Sequence, residues 1–530
     1  WDNLQHRLNP PDGTSMHWAR WIATAIAAPI ALLTPVVGQP NAEIIVAFAW
    51  PLALLAVFMN LIVRICGEIA ERDGLRTEAS VAGALVAALA FPTTAKFAPG
   101  GFDHHSIEII LTLVAVLGLL RMALSPKFGA AAGVALGVAM ATAAEGAPFV
   151  VAGIVIAGLL WLFRPDVYRR GLAWLGFGLA GSSLATFLLA VPLSRWGAPV
   201  CDEMSTPFLG FGLAAGGVAM LLGQVLPAAF KQTIGRRLGA AAALGGASLV
   251  ALWILFPACA GGGYSAMSVD MQTYWLVQIA EARNLSALIA EDPSMVLSFA
   301  GAAFAGLIAA GFYLHKRWKS ADGWILLGFL VAGWAILVWQ IRGAFFAAAF
   351  AIPFGAWAAV RARQVWKSRA APMGVLLFAV TAMASASAAW SAVGEQLRGR
   401  TFSSATLANY EARKASSKAC VKPEAFASLS TLPRGVVLNE FILGPNILQR
   451  TPHAAMSAPY HRNSAGLMTM ITAMRSSADA AKSIVMQTPA NYVLVCAALP
   501  ETQFYAKHPA GDATADTTLA SLLANGTPPD

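Results

Sequence analysis

The sequence has few charged residues, and this scarcity limits the kind of protein that it can encode. Only 12% of its 530 residues are Asp, Glu, Lys or Arg, whereas 57% are hydrophobic, and its mean hydropathy is +0.62. A soluble domain ordinarily carries about twice this share of charge. The composition therefore excludes an ordinary soluble protein and indicates a polytopic membrane protein.

Nucleotide-binding motifs and internal repeats are also lacking. The chain has no internal repeat, no P-loop and no dinucleotide-binding glycine motif. The formal net charge of +9 does not indicate a nucleic-acid partner, because Lys and Arg in loops are what orients membrane spans.

Long apolar runs are plentiful instead. A membrane-spanning helix needs about 20 mostly apolar residues, and the sequence predicts about 12 spans, with a thirteenth expected upstream of Trp1 in the full-length chain. The run Trp21–Val37 contains two prolines and is interpreted as interfacial, because counting it as a span would reverse the charge pattern described next. The predicted spans are 43–66, 78–96, 104–124, 128–145, 146–163, 171–193, 206–228, 238–257, 295–314, 323–341, 344–361 and 371–391.

Positive charge is concentrated in alternate connections between these spans. One set of loops carries most of the basic residues, whereas the opposite set holds only Lys96, Arg195, Arg283 and Arg342. By the positive-inside rule the first set is cytoplasmic, so the second set faces outward. The basic set consists of Arg64, Arg72, Arg76, Arg121, Lys127, Arg164, Arg169, Arg170, Lys231, Arg236, Arg237, Lys316, Arg317, Lys319, Arg361, Arg363, Lys367 and Arg369.

The five cysteines agree with this topology without any use of charge. On this topology four of them are external and Cys66 alone is cytoplasmic. Disulfides form in oxidising compartments, so we expect the pairs Cys201–Cys259 and Cys420–Cys496. The alternative is that these residues are unpaired buried thiols.

The chain divides into three predicted parts. Residues 1–42 form a first external loop with an interfacial helix, residues 43–391 form the transmembrane domain, and residues 392–530 form a small C-terminal α/β domain. Strand-like runs at Gly435–Leu438 and Tyr492–Val495 and a helical stretch near 465–487 indicate this last domain. We expect a frayed tail from about Gly511.

The most informative stretch is Gly101–Glu108, which opens a span on the external side. It contains Asp103, His104, His105 and Glu108. Ionisable side chains at the edge of a membrane are costly unless they have partners or face a water-filled cavity, so they predict a functional site. Asp103 alone could instead cap the following helix, and the two histidines could be satisfied interfacial residues.

Other ionisable residues fall on the same predicted side. They include Glu145 at the end of a span, Glu281 in a long loop and Arg342 between two spans. Carboxylates can hold a hard divalent cation and Arg can bind a phosphate through two hydrogen bonds, which suits a phosphate leaving group. Glu281 could instead be a solvated loop charge, and Arg342 could be an interfacial Arg whose guanidinium extends to water.

This pattern resembles the GT-C superfamily of polytopic glycosyltransferases, and most closely the catalytic subunit of oligosaccharyltransferase. The stretch Asp12–Arg20 is similar to the catalytic first loop of that family, although Asp12 in Pro10–Gly13 also fits a simple turn. Gly101–His105 is similar to the second acidic motif, and Val277–Glu281 resembles the motif of the long external loop. The resemblance implies 13 spans in the full chain and an extracytoplasmic C-terminal domain.

The resemblance also implies roles for individual residues. Asp12 orients or deprotonates the acceptor, His104 or His105 assists as a ligand or base, and Arg342 holds the carrier phosphate. A divalent metal, Mg²⁺ or Mn²⁺, is held by Asp103, His105 and Glu281. His17 and Arg20 in the first loop, together with the polar cluster Tyr460, His461 and Arg462, are candidate substrate-binding residues.

Two departures from the family pattern affect the substrate and the metal. The Trp-Trp-Asp triplet that opens the external domain of true oligosaccharyltransferases is missing, and Asn439–Pro445 is the nearest stretch. An asparagine sequon is therefore not the expected acceptor. His105 stands where the family usually has a second acid, and His favours softer ions than Mg²⁺.

The sequence thus predicts a glycosyltransferase in a bacterial inner membrane with its C-terminal domain in the periplasm. It moves a sugar or glycan from a polyprenyl phosphate or diphosphate carrier to a glycan, lipid or protein acceptor, and no nucleic-acid partner is expected. A transporter or flippase remains an alternative because intramembrane acids also form proton and substrate pathways. A polysaccharide polymerase or ligase and a non-catalytic scaffold are further alternatives.

Overall fold

The structure is a computed structural model that describes residues 3–225, 233–263, 267–369, 372–401 and 403–529. These residues form two compact units. The membrane unit comprises the described residues of Trp18–Ser265 and Arg283–Arg398, and the C-terminal unit comprises those of Trp1–His17, Ala266–Ala282 and Gly399–Asp530. The predicted domain boundaries, between residues 42 and 43 and between residues 391 and 392, concern membrane topology and stay predictions.

Long apolar helices dominate the membrane unit. Among the described residues, ten helices are long and apolar enough to cross a membrane, or up to 12 if each of two bent helix pairs is one span. The chain is therefore a multi-pass membrane protein, and the predicted helical class is confirmed. The ten helices are Arg20–Val37, Gln39–Asp73, His104–Arg121, Ala144–Phe163, Pro165–Ala190, Thr206–Gln224, Ile234–Leu255, Pro293–Arg317, Ala321–Trp339 and Gly343–Ser368; the bent pairs are Arg76–Ala88 with Phe91–Phe97, and Pro372–Ser385 with Ser387–Arg400.

Two helices differ from the predicted span list. Arg20–Val37 is one continuous helix and is among the ten candidates, so its interfacial location stays a prediction. The predicted span 128–145 is the helix Pro126–Thr142, which has 17 residues and is not among the ten. A helix of this length still falls within the range that can span a bilayer.

Small residues let neighbouring helices approach closely. A Cβ added at Gly129 would collide with the carbonyl of Gly171, and one added at Gly133 would collide with that of Leu175. The helices Pro126–Thr142 and Pro165–Ala190 therefore pack backbone against backbone. In lipid no hydrophobic effect drives helices together. They usually associate through close packing at small residues.

The helix Gly343–Arg369 forms the centre of the membrane unit. Its apolar stretch is 94% buried, the highest share among the ten candidate spans. Phe346, Phe350 and Phe354 on this helix are fully buried and belong to the main hydrophobic core. Arg342 directly precedes this helix, so the position of Arg342 is fixed by the most constrained element of the unit.

A polar network joins helix ends on the side predicted to be cytoplasmic. The Asp73 carboxylate contacts Arg317 and accepts a hydrogen bond from Trp357 Nε1 at 2.8 Å. Glu68 accepts a hydrogen bond from Arg121 Nε at 2.9 Å. These pairs join loops that the charge pattern assigns to one side.

The C-terminal unit is built on a small parallel sheet. The strands are β3 (Val436–Asn439), β4 (Ala454–Ala455) and β5 (Tyr492–Leu494), in the order β4-β3-β5. The predicted helical stretch is two helices, Ser464–Arg475 and Ala478–Val485. Among the described residues, this unit also contains the α-helices Val269–Tyr274, Ser404–Ala419, Ala427–Ser430, Gly444–Arg450, Pro500–Lys507 and Leu519–Ala524.

The N-terminal residues join the same unit. Strands β1 (Leu4–Gln5) and β2 (Thr14–Ser15) form an antiparallel pair, and Leu8 makes a parallel bridge to Ala455 of β4. The Arg7 guanidinium donates hydrogen bonds to the carbonyls of Leu448 at 3.0 Å and His453 at 2.6 Å. The described residues 3–17 of the predicted first external loop are thus part of the C-terminal unit, whereas residues 18–42 belong to the membrane unit.

The expectation of a frayed tail from Gly511 is wrong. Residues Leu519–Ala524 form a helix that Thr518 caps by accepting a hydrogen bond from the Ser521 amide. Leu519 and Ala520 are buried, and the Leu519 amide donates to the Ser476 carbonyl at 2.8 Å. The cost of ordering this polar stretch is offset because its two apolar residues reach the core.

Both expected disulfides are present. Cys201 is bonded to Cys259 and Cys420 to Cys496, while Cys66 is a buried free thiol. The first bond lies in the membrane unit and the second in the C-terminal unit. Each therefore closes a loop within its own unit.

Candidate active site in the membrane unit

Asp103 begins the helix that carries the two adjacent histidines. Its Oδ1 accepts a hydrogen bond from the His105 amide at 2.9 Å and lies 2.5 Å from His105 Nδ1. The Ser106 hydroxyl donates to the Asp103 carbonyl at 2.7 Å. The capping alternative for Asp103 is therefore correct, but the same carboxylate also holds the imidazole of His105.

Lys96 occupies the other oxygen of Asp103. Lys96 Nζ lies 2.9 Å from Asp103 Oδ2 and 4.0 Å from the centre of the Phe345 ring. Burial alone would raise the pKa of Asp103, but the hydrogen bond from His105 and the positive charges of His105 and Lys96 outweigh burial. The pKa of Asp103 therefore lies well below its usual range, and this carboxylate stays ionised.

The short 3-10 helix Ala144–Gly146, which begins the candidate span Ala144–Phe163, brings Glu145 to the same histidines. Glu145 Oε2 lies 2.8 Å from His105 Nε2 and 3.7 Å from His104 Nε2. The two imidazole rings lie with their centres 4.2 Å apart. Because these loops meet, the ends of the helices that flank them lie on one side of the unit, as the charge pattern predicts.

Glu108 lies one helical turn below the histidines and is fully buried. Neither of its carboxylate oxygens has a hydrogen-bond partner among the described residues. A Cβ added at Gly146 would lie 3.1 Å from Glu108 Oε1 and 3.0 Å from the Ala139 carbonyl. Gly146 therefore leaves the space in which the Glu108 carboxylate packs against the Glu145 loop.

Arg342 completes this group of charges. Its guanidinium contacts Glu145 Oε1, and the residue is buried. Burial lowers the pKa of Arg342 to about 10, so the guanidinium remains charged at neutral pH. A buried Arg next to carboxylates can bind an anion through the N–H donors of its planar guanidinium. The anion then competes with the carboxylates for these donors.

His104, His105, Glu108 and Glu145 together form a cluster that could hold a metal ion. One ligand atom from each of the four lies within 4.8 Å of the others. We call these four residues the His/Glu tetrad. Two imidazoles and two carboxylates are a common ligand set for a divalent transition metal.

The remaining predicted site residues are distributed over both units. Arg20 is buried at the start of the helix Arg20–Val37 in the membrane unit. Glu281 is half-buried in a short helix, Ala280–Ala282, of the C-terminal unit. Met271 and Trp275 in the same segment are buried in the core of that unit.

The N-terminal hairpin and the predicted sugar-binding cluster meet within the C-terminal unit. The rings of His17 and His461 lie with their centres 4.4 Å apart, while Asp12 is exposed in the turn between β1 and β2. Burial raises the pKa of Tyr460. Arg462 lies in the same segment, which is followed by the helix Ser464–Arg475.

Of the membrane-unit cluster, Lys96 was not predicted to belong to the site, and Glu108 and Glu145 were placed on the external side without an assigned role. Glu108 follows His105 by three residues, which places both on one face of a helix, and this spacing could have identified it. Glu145 ends a predicted span, which is a weaker signal. Lys96 gives no signal in sequence beyond being one of few basic residues on its side.

Comparisons with known proteins identify the fold. No protein-family model matches the chain, and no curated protein sequence matches it. Among solved structures, the chain is similar to the archaeal oligosaccharyltransferase AglB from Archaeoglobus fulgidus in complex with an inhibitory peptide and a dolichol-phosphate, with a TM-score of 0.64 and 13% identity over 98% of this chain and 65% of that one. It is also similar to the A. fulgidus oligosaccharyltransferase tethered to an acceptor peptide, with a TM-score of 0.63 and 13% identity over 99% of this chain and 65% of that one.

A third similar structure is the A. fulgidus oligosaccharyltransferase in complex with Zn and sulfate, with a TM-score of 0.61 and 14% identity over 93% of this chain and 61% of that one. The chain thus spans about two thirds of the length of these proteins. At such low identity the likeness establishes the fold alone. The chain therefore has the GT-C fold of an oligosaccharyltransferase over nearly its whole length.

Proposed function

We propose that this protein is a membrane glycosyltransferase that takes a sugar or glycan from a polyprenyl phosphate or diphosphate carrier. The observation that carries the proposal is the cluster of buried Arg342 and His105 with half-buried Glu145 and His104, held at one end of a GT-C helix bundle. Its location at helix ends favours an enzyme over a transporter, which would use ionisable residues near the middle of spans.

The proposed reaction transfers the sugar from a phosphate oxygen to a nucleophile. The acceptor atom attacks the anomeric carbon with inversion, and the bond from this carbon to the carrier phosphate breaks. The bonding electrons stay on the phosphate oxygen, and the acceptor proton passes to a base. Arg342 offers two parallel donors to the phosphate as its negative charge increases, which is where electrostatic stabilisation contributes most.

Other residues have supporting roles in this proposal. Lys96 and Asp103 hold His105 in one orientation, and the neighbouring His104 is the second imidazole available as a ligand or base. Asp12 is proposed to orient or deprotonate the acceptor, and Glu281 to contribute from the long loop. His17, Arg20, Tyr460, His461 and Arg462 are proposed to bind the substrates.

A divalent cation fits the residues that are present. The buried carboxylate oxygens of Glu108 lack partners among the described residues, and two imidazoles lie beside them. When bound, such an ion neutralises negative charge on the phosphate of the leaving group. Of the metals expected from sequence, Mn²⁺ suits imidazole ligands better than Mg²⁺, and Zn²⁺ suits them better still.

The cellular setting follows from topology and from the disulfides. Two disulfides require an oxidising compartment, and the charge pattern assigns Cys201, Cys259 and the C-terminal domain to the external side. We propose the inner membrane of a bacterium, with the C-terminal domain in the periplasm. The acceptor is then an extracytoplasmic glycan, lipid or protein, and a glycan acceptor would make the enzyme a polymerase or ligase.

The test is donor turnover by the purified full chain. Polyprenyl phosphate- and diphosphate-linked sugars are supplied as a panel, with and without a chelator, and the released carrier is quantified. We expect release from at least one donor and a loss of about 100-fold or more in Arg342→Ala, as for other groups that stabilise developing charge. Arg64→Ala is the matched control, because Arg64 is exposed at the opposite helix ends.

Two results would contradict this proposal. One is transport of an intact polyprenyl-linked sugar across a vesicle bilayer without cleavage of the sugar–phosphate bond. The other is equal donor turnover in Arg342→Ala and the parent protein. Either result would favour the transporter alternative or a site elsewhere in the chain.

A further inference from the structure

We propose that this protein binds the headgroup of an anionic phospholipid at a basic patch in the membrane unit, at the helix ends farthest from the candidate active site. The patch consists of Arg72, Arg164 and Lys319, which belong to three separate connections between helices. The proposal goes beyond the function given above, because it concerns neither the sugar donor nor the acceptor.

The patch and the candidate active site lie at opposite ends of the same helices. Glu145 is in the first turn of the candidate span Ala144–Phe163, and Arg164 directly follows the last residue of this span. A helix of about 20 residues is about 30 Å long, which is the thickness of the apolar part of a bilayer. A ligand of the patch is therefore distinct from any ligand of the candidate site.

Hydrogen bonds bring the three connections of the patch together. The guanidinium of Arg72 donates to the Ser320 hydroxyl at 2.6 Å, and that of Arg164 donates to the Lys319 carbonyl at 2.9 Å. Lys319 and Ser320 are adjacent in the chain, so both guanidinium groups contact the same short stretch. Both also lie close enough to the buried Tyr168 to act on its hydroxyl electrostatically.

The guanidinium groups keep most of their hydrogen-bonding capacity for a ligand. Arg72 and Arg164 each use one terminal nitrogen in these contacts, whereas a guanidinium has five N–H donors. Among the described residues, no carboxylate forms an ion pair with Arg72, Arg164 or Lys319, because the neighbouring Asp73 contacts Arg317 instead. The free donors can therefore bind a phosphate, which suits their planar geometry.

The charges around the patch leave an excess of positive charge. The stretches Arg72–Asp73, Arg164–Asp166 and Lys316–Asp322 contain five basic and three acidic residues. Arg72, Arg164 and Lys319 are exposed, so their charge is accessible from outside the protein. A ligand that complements this surface is negatively charged.

Exposed aromatic rings beside the patch favour a lipid over a soluble anion. Phe163 is 66% exposed, Trp318 64% and Trp324 50%, and Lys319 Nζ lies 5.1 Å from the centre of the Trp318 ring. Tryptophan is enriched where acyl chains meet headgroups, and basic clusters next to spans attract anionic lipids. A phospholipid can cover the rings with its acyl chains while its phosphate contacts the patch, whereas a soluble anion cannot.

The test is a titration of the purified full chain in a neutral detergent with phosphatidylglycerol or phosphatidylcholine. Native mass spectrometry counts the bound lipid, and thermal unfolding is measured on the same samples. We expect phosphatidylglycerol to bind at least about 10-fold more tightly than the zwitterionic phosphatidylcholine, whose choline cancels the phosphate charge. It should also raise the unfolding temperature, because it binds three connections that come together only in the folded protein.

Removing charge from the patch should weaken this binding. One Lys or Arg near an anionic lipid surface contributes an amount that corresponds to about a 5-fold change in affinity. We expect Lys319→Gln and Arg164→Gln each to weaken phosphatidylglycerol binding about 5-fold, and both changes combined with Arg72→Gln to weaken it about 100-fold. Arg164→Lys should retain most of the affinity, since it keeps the charge.

Two controls separate a specific site from general attraction of an anion to a basic surface. Arg64→Gln and Lys127→Gln each remove an exposed cation on the same predicted side of the membrane but outside the patch, and should leave the affinity unchanged. Unfolding without added lipid shows whether each variant is folded. Lys319→Gln changes only an exposed side chain, so the test does not depend on the two arginine variants.

Three outcomes would overturn the inference. In the first, the two lipids bind equally well. In the second, the control variants lose as much affinity as Lys319→Gln. In the third, inorganic phosphate at millimolar concentration displaces phosphatidylglycerol and raises the unfolding temperature equally, which assigns the patch to a soluble anion. Because no sugar donor is used, none of these outcomes bears on the proposed glycosyl transfer.

Discussion

Each unit of this protein contains a pair of neighbouring glutamates of which at least one is buried, and the two pairs are satisfied in opposite ways. In the C-terminal unit, Glu440 accepts a hydrogen bond from the Cys496 amide at 2.8 Å and another from the Thr502 hydroxyl. Glu501 accepts from the Phe441 amide at 2.9 Å and the Ile442 amide at 3.3 Å. All four oxygens of that pair therefore have donors.

The pair in the membrane unit is left incomplete. Glu108 has no hydrogen-bond partner among the described residues, and Glu145 contacts Arg342 and His105. Donors from backbone amides and a hydroxyl hold chain segments together, whereas open oxygens beside imidazoles and a guanidinium can bind a ligand. The comparison shows that burial of acids does not by itself identify a site, and that the kind of partner does.

Neutralising one glutamate from each pair should give the largest contrast. We expect Glu108→Gln to lower donor turnover by about 100- to 1000-fold. The reason is that the site loses a negative charge that positions the groups stabilising the transition state. Glu501→Gln should leave turnover within about 2-fold, because its carboxylate bonds only to structural groups. The measurement is carrier release by each variant at saturating donor, and similar losses in both variants would break the comparison.

The pair in the C-terminal unit should make stability depend on pH. Burial raises the pKa of Glu440 from 4.5 to about 7, and burial together with the charge of Glu440 raises that of Glu501. Because folding raises both pKa values, the two glutamates stabilise the folded state fully below about pH 4.5. This stabilisation is lost as the pH rises through about 7.

Thermal unfolding of the full chain between pH 4 and 9 tests this expectation. The double variant Glu440→Gln with Glu501→Gln should flatten the pH dependence of the C-terminal transition. The exposed Glu424→Gln is the control and should retain it. If the unfolding temperature of the double variant still changed with pH as it does in the parent protein, other groups would control the C-terminal transition.

A methyl group at Gly146 should give the smallest effect. The added Cβ would lie 3.1 Å from Glu108 Oε1 and 3.0 Å from the Ala139 carbonyl, so the loop must shift by a few tenths of an ångström. We expect Gly146→Ala to lower donor turnover by about 5-fold, or about 1 kcal/mol. Gly158→Ala, where nothing lies within 4 Å of the added Cβ, is the matched control, and equal effects of the two would remove Gly146 from the account.

Much of the fold could be predicted from sequence because its signals are strong and local. Apolar runs gave the helices, and the side on which Cys201, Cys259, Cys420 and Cys496 fall gave the disulfide pairs. The helix at Leu519 was missed because its six residues bury only two apolar side chains. Such short elements depend on tertiary contacts that no local pattern contains.

The candidate site could be predicted only in part. The motif Asp103-His104-His105 stood out because charge is rare at a membrane edge. Glu145 and Arg342 are 197 positions apart in the chain, so their contact depends on how the helices pack and no spacing rule reveals it. The pairing of Lys96 with Asp103, which changes the role proposed for Asp103, likewise emerges only from the fold.

The most direct test of the central claim is the stoichiometry of the reaction with a polyprenyl-linked sugar. Sugar delivered to an acceptor or to water and carrier phosphate released are measured in the same sample. The account predicts one carrier released for each sugar transferred, with both signals lost together in Arg342→Ala. Sugar that crosses the bilayer still attached to its carrier, with no carrier released, would contradict it.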